Sequence, residues 1–170
     1  MQGCHKMNEK ILVINPEKCT GCRTCELMCS LEKGEEFRPF RSRISAKEIP
    51  DKIKAVPLTC LQCDDAPCLD ICPTGAIEKQ DSGLVTIDED TCIGCKMCAM
   101  ACPFGVMEID TDEGGVYKCD QCDGDPVCVK YCPYDALEFG RPDEILAEKK
   151  EKTMKEMQEL GDKGVLIRGA

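Results

Sequence analysis

Tryptophan is absent from this chain, and three Tyr and four Phe supply the only large rings among its 170 residues. A chain of this length ordinarily builds its interior from aromatic and branched aliphatic volume, so something else has to fill the space. Long apolar runs are missing too: nothing approaches the roughly eighteen residues that a membrane-crossing helix requires. Residues 1–10 are polar, with neither an apolar secretory core nor a twin-arginine pair. These absences lead us to expect a cytoplasmic protein with no membrane span. Positive charge is scarce as well. Lys and Arg number 22 against 32 Asp and Glu, a net charge of −10 with one His, and such an acidic surface argues against a nucleic-acid partner.

Cysteine is what the chain has in excess, with 17 residues. All but Cys4 fall into four tetrads: Cys19, Cys22, Cys25 and Cys29; Cys60, Cys63, Cys68 and Cys72; Cys92, Cys95, Cys98 and Cys102; Cys119, Cys122, Cys128 and Cys132. The first and third read CxxCxxCxxxC, the run that sets three thiolates around one iron–sulfur cube and sends the fourth to a neighbouring cluster. A structural zinc site also uses CxxC pairs, but its two halves are usually a dozen or more residues apart. A disulfide scaffold would suit the cysteine content, yet the odd count, the polar N-terminus and the length oppose it. A reducing compartment suits thiolates that must stay free for iron. The expected cofactors are four [4Fe-4S] clusters, each adding about two negative charges. They would fill the volume that aromatic rings leave vacant, so the metal-free chain is expected to be disordered or molten.

A repeat runs through the tetrads. CPTGAIE follows the second, CPFGVME the third and CPYDALE the fourth. Pro73, Pro103 and Pro133 stop helix continuation, and an apolar pair such as Ala76 and Ile77 then starts a strand. We expect a hairpin joining 77–78 to 85–87 through Asp81, Ser82 and Gly83, and another joining 106–109 to 116–117 through Glu113, Gly114 and Gly115. Residues 11–14 read as the strand entering the first tetrad. That tetrad departs from the template, because Ser30 replaces the proline; its helix can run on, and 31–59 is an insertion.

The tetrad order, together with CxxCxxxxCxxxCP in the second and CxxCxxxxxCxxxCP in the fourth, resembles the four-cluster ferredoxin-type electron-transfer subunits of molybdenum and tungsten oxidoreductases. That family also serves hydrogenases and carbon monoxide dehydrogenase, and the compact fourth tetrad is nearest to the small subunits of tungsten aldehyde oxidoreductases. The resemblance covers about residues 11–140. It implies an α+β fold of nested ferredoxin-like two-cluster modules with short hairpins, helical turns and a C-terminal helix. Residues 11–58 and 109–141 would form the outer module, with 31–58 inserted, and 59–108 the inner one; 1–10 would be a tail and 142–170 the C-terminal helix and tail. The implied ligand sets are Cys19, Cys22 and Cys25 with Cys132; Cys119, Cys122 and Cys128 with Cys29; Cys60, Cys63 and Cys68 with Cys102; Cys92, Cys95 and Cys98 with Cys72. The residues themselves leave a pairing of the first tetrad with the second open. Cys29 lies beside the fourth tetrad in one arrangement and the second in the other.

Sixteen thiolates spent on saturating iron leave no position for a substrate, so the chain is expected to be non-catalytic. It would conduct single electrons between a large catalytic subunit and an external redox partner such as a ferredoxin. The alternatives are a free polyferredoxin carrier and the electron-transfer subunit of a hydrogenase or carbon monoxide dehydrogenase. Three further segments invite expectations. Phe37, Arg38, Pro39, Phe40, Arg41 and Arg43 are either a docking surface or a strand and loop with solvated arginines covering the first cluster pair. Residues 143–160 read as a helix that Pro142 opens and Gly161 stops, with a thin stripe of Leu146, Met154, Met157 and Leu160. Tyr117, Tyr131 and Tyr134 are expected to shield clusters, and Cys4 with His5 to hold no metal.

Overall fold

The computed structural model describes residues 10–50, 55–110 and 114–162; Cys4, His5 and Glu113 lie outside them. Among the described residues, 12–139 form one compact unit, and 10–11 with 140–162 belong to a second. The larger unit mixes short strands with helical turns, and the tandem ferredoxin-like arrangement is carried by pairs of strands rather than by any large sheet. Each tetrad has a strand ahead of it and a helical turn inside it. β1 (Ile11–Ile14) leads into the first tetrad and is hydrogen-bonded to β8 (Leu137–Gly140), which leaves the fourth. The pairing continues as Asn15 N–H donates to Ala136 O at 2.8 Å.

α1 (Thr24–Gly34) starts between Cys22 and Cys25 and passes Cys29 by more than a turn. Cys25 and Cys29 are four residues apart, so both sulfurs leave the same buried face. Nothing halts the helix after Cys29, and it ends only when Glu35 turns left-handed and donates its N–H to Leu31 O at 2.9 Å. The helices α2 (Pro67–Asp70), α3 (Met97–Ala101) and α4 (Val127–Lys130) are single turns that stop just before Cys72, Cys102 and Cys132. A residue preceding proline is steered away from helical angles, and Cys102 is accordingly extended at ψ 114°.

Two of the hairpins form where expected: β4 (Ile77–Lys79) pairs antiparallel with β5 (Val85–Ile87), Ile77 facing Ile87. β6 (Glu108–Ile109) pairs with β7 (Val116–Tyr117), so Val106 and Met107, expected in the strand, precede the ladder. A third hairpin was not anticipated. β2 (Ile44–Glu48) pairs with β3 (Ala55–Thr59) inside the 31–59 stretch read as an insertion, with Ala46 opposite Pro57. A strand in a two-stranded sheet has one unpaired edge, which is where a proline without an N–H costs least.

Two small cores result. One gathers Ala66, Cys68, Ile77, Val85, Cys98, Met107 and Val116; the other gathers Cys25, Cys29, Ile44, Cys128 and Leu137. In the second unit, α5 (Pro142–Asp162) opens on Pro142 as expected but runs through Gly161 rather than stopping there. Propensity alone does not end a helix, since glycine costs only about 1 kcal/mol in its interior. Leu146, Met154 and Met157 are exposed.

Gly94 gives a direct test of the loop geometry. Its φ is +65°, and a Cβ there would lie 2.6 Å from the backbone oxygen of Gly114. Gly94→Ala is expected to destabilise the loaded protein by about 1–3 kcal/mol, from left-handed strain plus backbone displacement. Denaturant titration of wild type and variant at equal iron content measures it.

Candidate metal centres

Three hollows in the larger unit are each lined by four cysteines. Cys29, Cys119, Cys122 and Cys128 surround one, Cys60, Cys63, Cys68 and Cys102 another, and Cys72, Cys92, Cys95 and Cys98 the third. Their volumes are about 350, 370 and 330 Å³, open mouths included. Cys29 therefore stands with the fourth tetrad, far along the chain, and not with the second. In the remaining set Cys25 belongs to the same apolar cluster that Cys132 packs against. The sulfurs are spread around space rather than converging on a point: among the described residues, no three His, Cys, Asp or Glu are grouped to hold a single ion. Four thiols around a hollow match the donor set of a four-iron cube.

The backbone is turned to serve those sulfurs. Gln62 and Gln121 adopt φ of 52° and 54°, which lets their N–H groups donate to Cys60 Sγ and Cys119 Sγ, both at 3.4 Å. Arg43 N–H donates to Cys29 Sγ at 3.3 Å, and Ala136 N–H to Cys132 Sγ at 3.3 Å. Gly21 and Gly94, with φ of 73° and 65°, are left-handed at the corresponding places in the first and third tetrads. Donors aimed at sulfur stabilise added negative charge and raise a reduction potential.

Burial, reinforced by the neighbouring Glu26 charge, pushes the Cys25 thiol up to about 12. Burial raises Cys128 as well, and Cys119 and Cys29 add to it. At neutral pH these sulfurs are thiols in the metal-free chain, and ligating iron must release their protons.

Charged side chains also reach the hollows, Lys33 and Asp120 among them, which the sequence did not single out. Lys33 Nζ and Arg43 Nη1 both donate to Asp120 Oδ2, at 2.7 and 2.9 Å, beside the hollow of Cys29. Burial works against the Asp120 charge, but the hydrogen bonds from Lys33 and Cys122 N–H, with the Arg43 charge, hold its carboxyl below the usual range. Burial opposes Lys33 likewise, and Asp120 prevails, raising it. Arg43 also pairs with Glu89 at 3.0 Å and lies over the Tyr117 ring at 5.8 Å. Arg41 pairs with Asp110 at 3.1 Å. The basic stretch thus divides: Arg41 and Arg43 turn inward to carboxylates instead of being solvated, while Phe37 and Phe40 stay more than half exposed. Tyr117 donates its hydroxyl to Asp110 at 2.6 Å; Tyr131 and Tyr134 are about half exposed and cover little. Lys118 lies just past β7 and is buried, as is Val116 two residues before it.

Residues 52–142 match the family described as "4Fe-4S dicluster domain", and residues 12–30 match "4Fe-4S binding domain". The chain is 43% identical over 98 residues to the polyferredoxin-like subunit of aliphatic sulfonate oxidoreductase from Pyrococcus furiosus, covering 56% of each. It is 42% identical over 94 residues to the iron–sulfur subunit of arsenate respiratory reductase from Shewanella sp., covering 53% of this chain and 40% of that one. The active site complex BamBC of benzoyl coenzyme A reductase superposes at a TM-score of 0.48 and 29% identity, over 77% of this chain and 78% of that one. The chain spans about half the length of the curated relatives it matches. Ferredoxin-type iron–sulfur domains thus account for all four tetrads, and with one match running over half of its residues the chain belongs to the 4Fe-4S dicluster domain family.

Proposed function

We propose that this chain is the non-catalytic electron-transfer subunit of an oxidoreductase complex, holding four [4Fe-4S] clusters. The outer module would comprise 11–58 with 109–141, and the inner module 59–108. Cys19, Cys22 and Cys25 with Cys132, and Cys119, Cys122 and Cys128 with Cys29, would serve the outer pair. Cys60, Cys63 and Cys68 with Cys102, and Cys92, Cys95 and Cys98 with Cys72, would serve the inner pair. The observation that carries this reading is the gathering of cysteines distant in sequence around shared hollows, Cys29 with Cys119, Cys122 and Cys128 above all.

When bound, a four-iron cluster supplies one-electron redox chemistry at iron whose positions are all taken by sulfur. The chain's own work is to hold and tune. Its cysteines fix the sites, its apolar residues such as Val85 and Ile77 exclude water, and its N–H groups favour the reduced state. The partner is a catalytic subunit, with a molybdenum or tungsten cofactor favoured, and an external carrier completes the route. The cytoplasm is the proposed compartment; among the described residues no helix is long and apolar enough to cross a membrane. Exposed Phe37 and Phe40 support docking, because aromatic rings are enriched at interfaces.

Native size tests the assignment. Anaerobic extract is expected to yield a brown complex well above the 18.8 kDa chain, with molybdenum or tungsten in the partner. Elution as a loaded monomer would instead make it a free polyferredoxin carrier.

A further inference from the structure

We infer that Lys118 is the counter-charge that sets the potential of the site formed by Cys60, Cys63, Cys68 and Cys102; the inference rests on those sulfurs holding a cluster. Lys118 is only 5% exposed and is the one cation among the described residues that is buried. Its Nζ donates to Gln62 Oε1 at 3.1 Å and to Val85 O. Both acceptors are neutral, and among the described residues it forms no ion pair with a carboxylate.

A lone ammonium inside a protein is strongly disfavoured unless an anion compensates it. Lys118 lines the same hollow as the four sulfurs, and among the described residues no carboxylate lines it with them. The missing anion is therefore the sulfur-bound group itself. One-electron reduction at this site makes and breaks no bond and moves no proton; it adds one negative charge. A fixed cation beside that charge favours the reduced state.

The other two hollows are built differently. Lys33 and Arg43 at the Cys29 hollow are offset by two carboxylates, Asp120 and Glu89, and Lys96 at the Cys72 hollow is exposed to water, which screens it. An uncompensated buried cation is thus peculiar to the Cys60 site, which should be the most readily reduced of the three.

Gln62 is the positioning residue for this charge. Its Oε1 accepts from Lys118 and from Val85 N–H at 2.8 Å, while its Nε2 donates to Cys119 O at 2.6 Å. Cys119 lines the adjoining hollow. One side chain therefore clamps the cation and links the backbone of two sites, one from each proposed module.

The test compares wild type, Lys118→Met and Lys118→Arg, all loaded, by iron and sulfide analysis and by redox titration followed with electron paramagnetic resonance. Wild type must carry about sixteen iron atoms; if it does not, the cluster assignment fails and not the inference. Given that loading, Lys118→Met is expected to lower the reduced-to-oxidised ratio of one cluster at least about tenfold at fixed poise, about 59 mV for a one-electron couple. Lys118→Arg should restore it. Loss of about four iron atoms in Lys118→Met but not in Lys118→Arg would support the same role, through charge needed for assembly. Unchanged potentials in both variants, or equal damage in both, would overturn it.

Discussion

Stripping iron from the purified protein is expected to abolish the fold of residues 12–139, not merely its colour. The strands are two to five residues long and pair only in twos, and an isolated hairpin is marginal in water. Their apolar faces meet cysteines: Cys68 and Cys98 belong to one core, and Cys25, Cys29 and Cys128 make up most of the other. Without iron each hollow loses its filling, and each sulfur loses the bonds that tie elements far apart in the chain. Residual stability is expected to fall below about 2 kcal/mol, where ordinary domains hold about 5–15 kcal/mol. Amide hydrogen exchange reads this out directly. In the loaded protein the amides of β4, β5, β7 and β8 should be protected, and after anaerobic chelation they should exchange like those of an unfolded chain. A chelated protein that kept its protection would show that the cores stand alone.

What the sequence revealed of this architecture depended on how few purposes a residue type can serve. Sixteen cysteines at fixed spacing have almost no other explanation, so the tetrads and the family were legible at once. Strands flanked by proline and glycine, such as β4 with β5, were legible from alternation and turn residues. The β2–β3 hairpin was not, because Pro57 and the charges of Lys47 and Glu48 blur its alternation, although Ile44, Ala46, Ala55, Pro57 and Thr59 all turn out to be buried. Asp120 with Lys33 and Arg43, and Lys118 with Gln62, were hidden for another reason. Each group is assembled from elements separated by tens of residues, and a lone lysine or arginine in an acidic chain is ordinarily a solvated surface charge. Only the fold reveals that Arg43 reaches Asp120 across 77 positions.

The proposed pairing of distant tetrads leads to the second large effect: Cys29→Ala should cost the protein one cluster, about four of the sixteen iron atoms proposed, and the loss should fall on the site of Cys119 rather than of Cys60. Cys29 is buried midway along α1, and the hollow it lines offers three other sulfurs. The carboxylate lining that hollow is Asp120, whose Oδ2 is already committed to Lys33 and Arg43, so a replacement anionic ligand is not at hand. Iron counts alone do not say which cluster went, but double variants do, because losses at one site do not add whereas losses at separate sites do. Cys29→Ala combined with Cys119→Ala is expected to lose no more than either alone, about four iron atoms. Cys29→Ala combined with Cys60→Ala should lose about eight. The reverse pattern would pair the first tetrad with the second and separate Cys29 from the fourth, which the shared wall of Cys29, Cys119, Cys122 and Cys128 argues against. Because α1 contacts α4 as well as β2, losing that cluster should also loosen both ends of the outer module together, so protection in β1 and β8 should fall while β4 and β5 keep theirs.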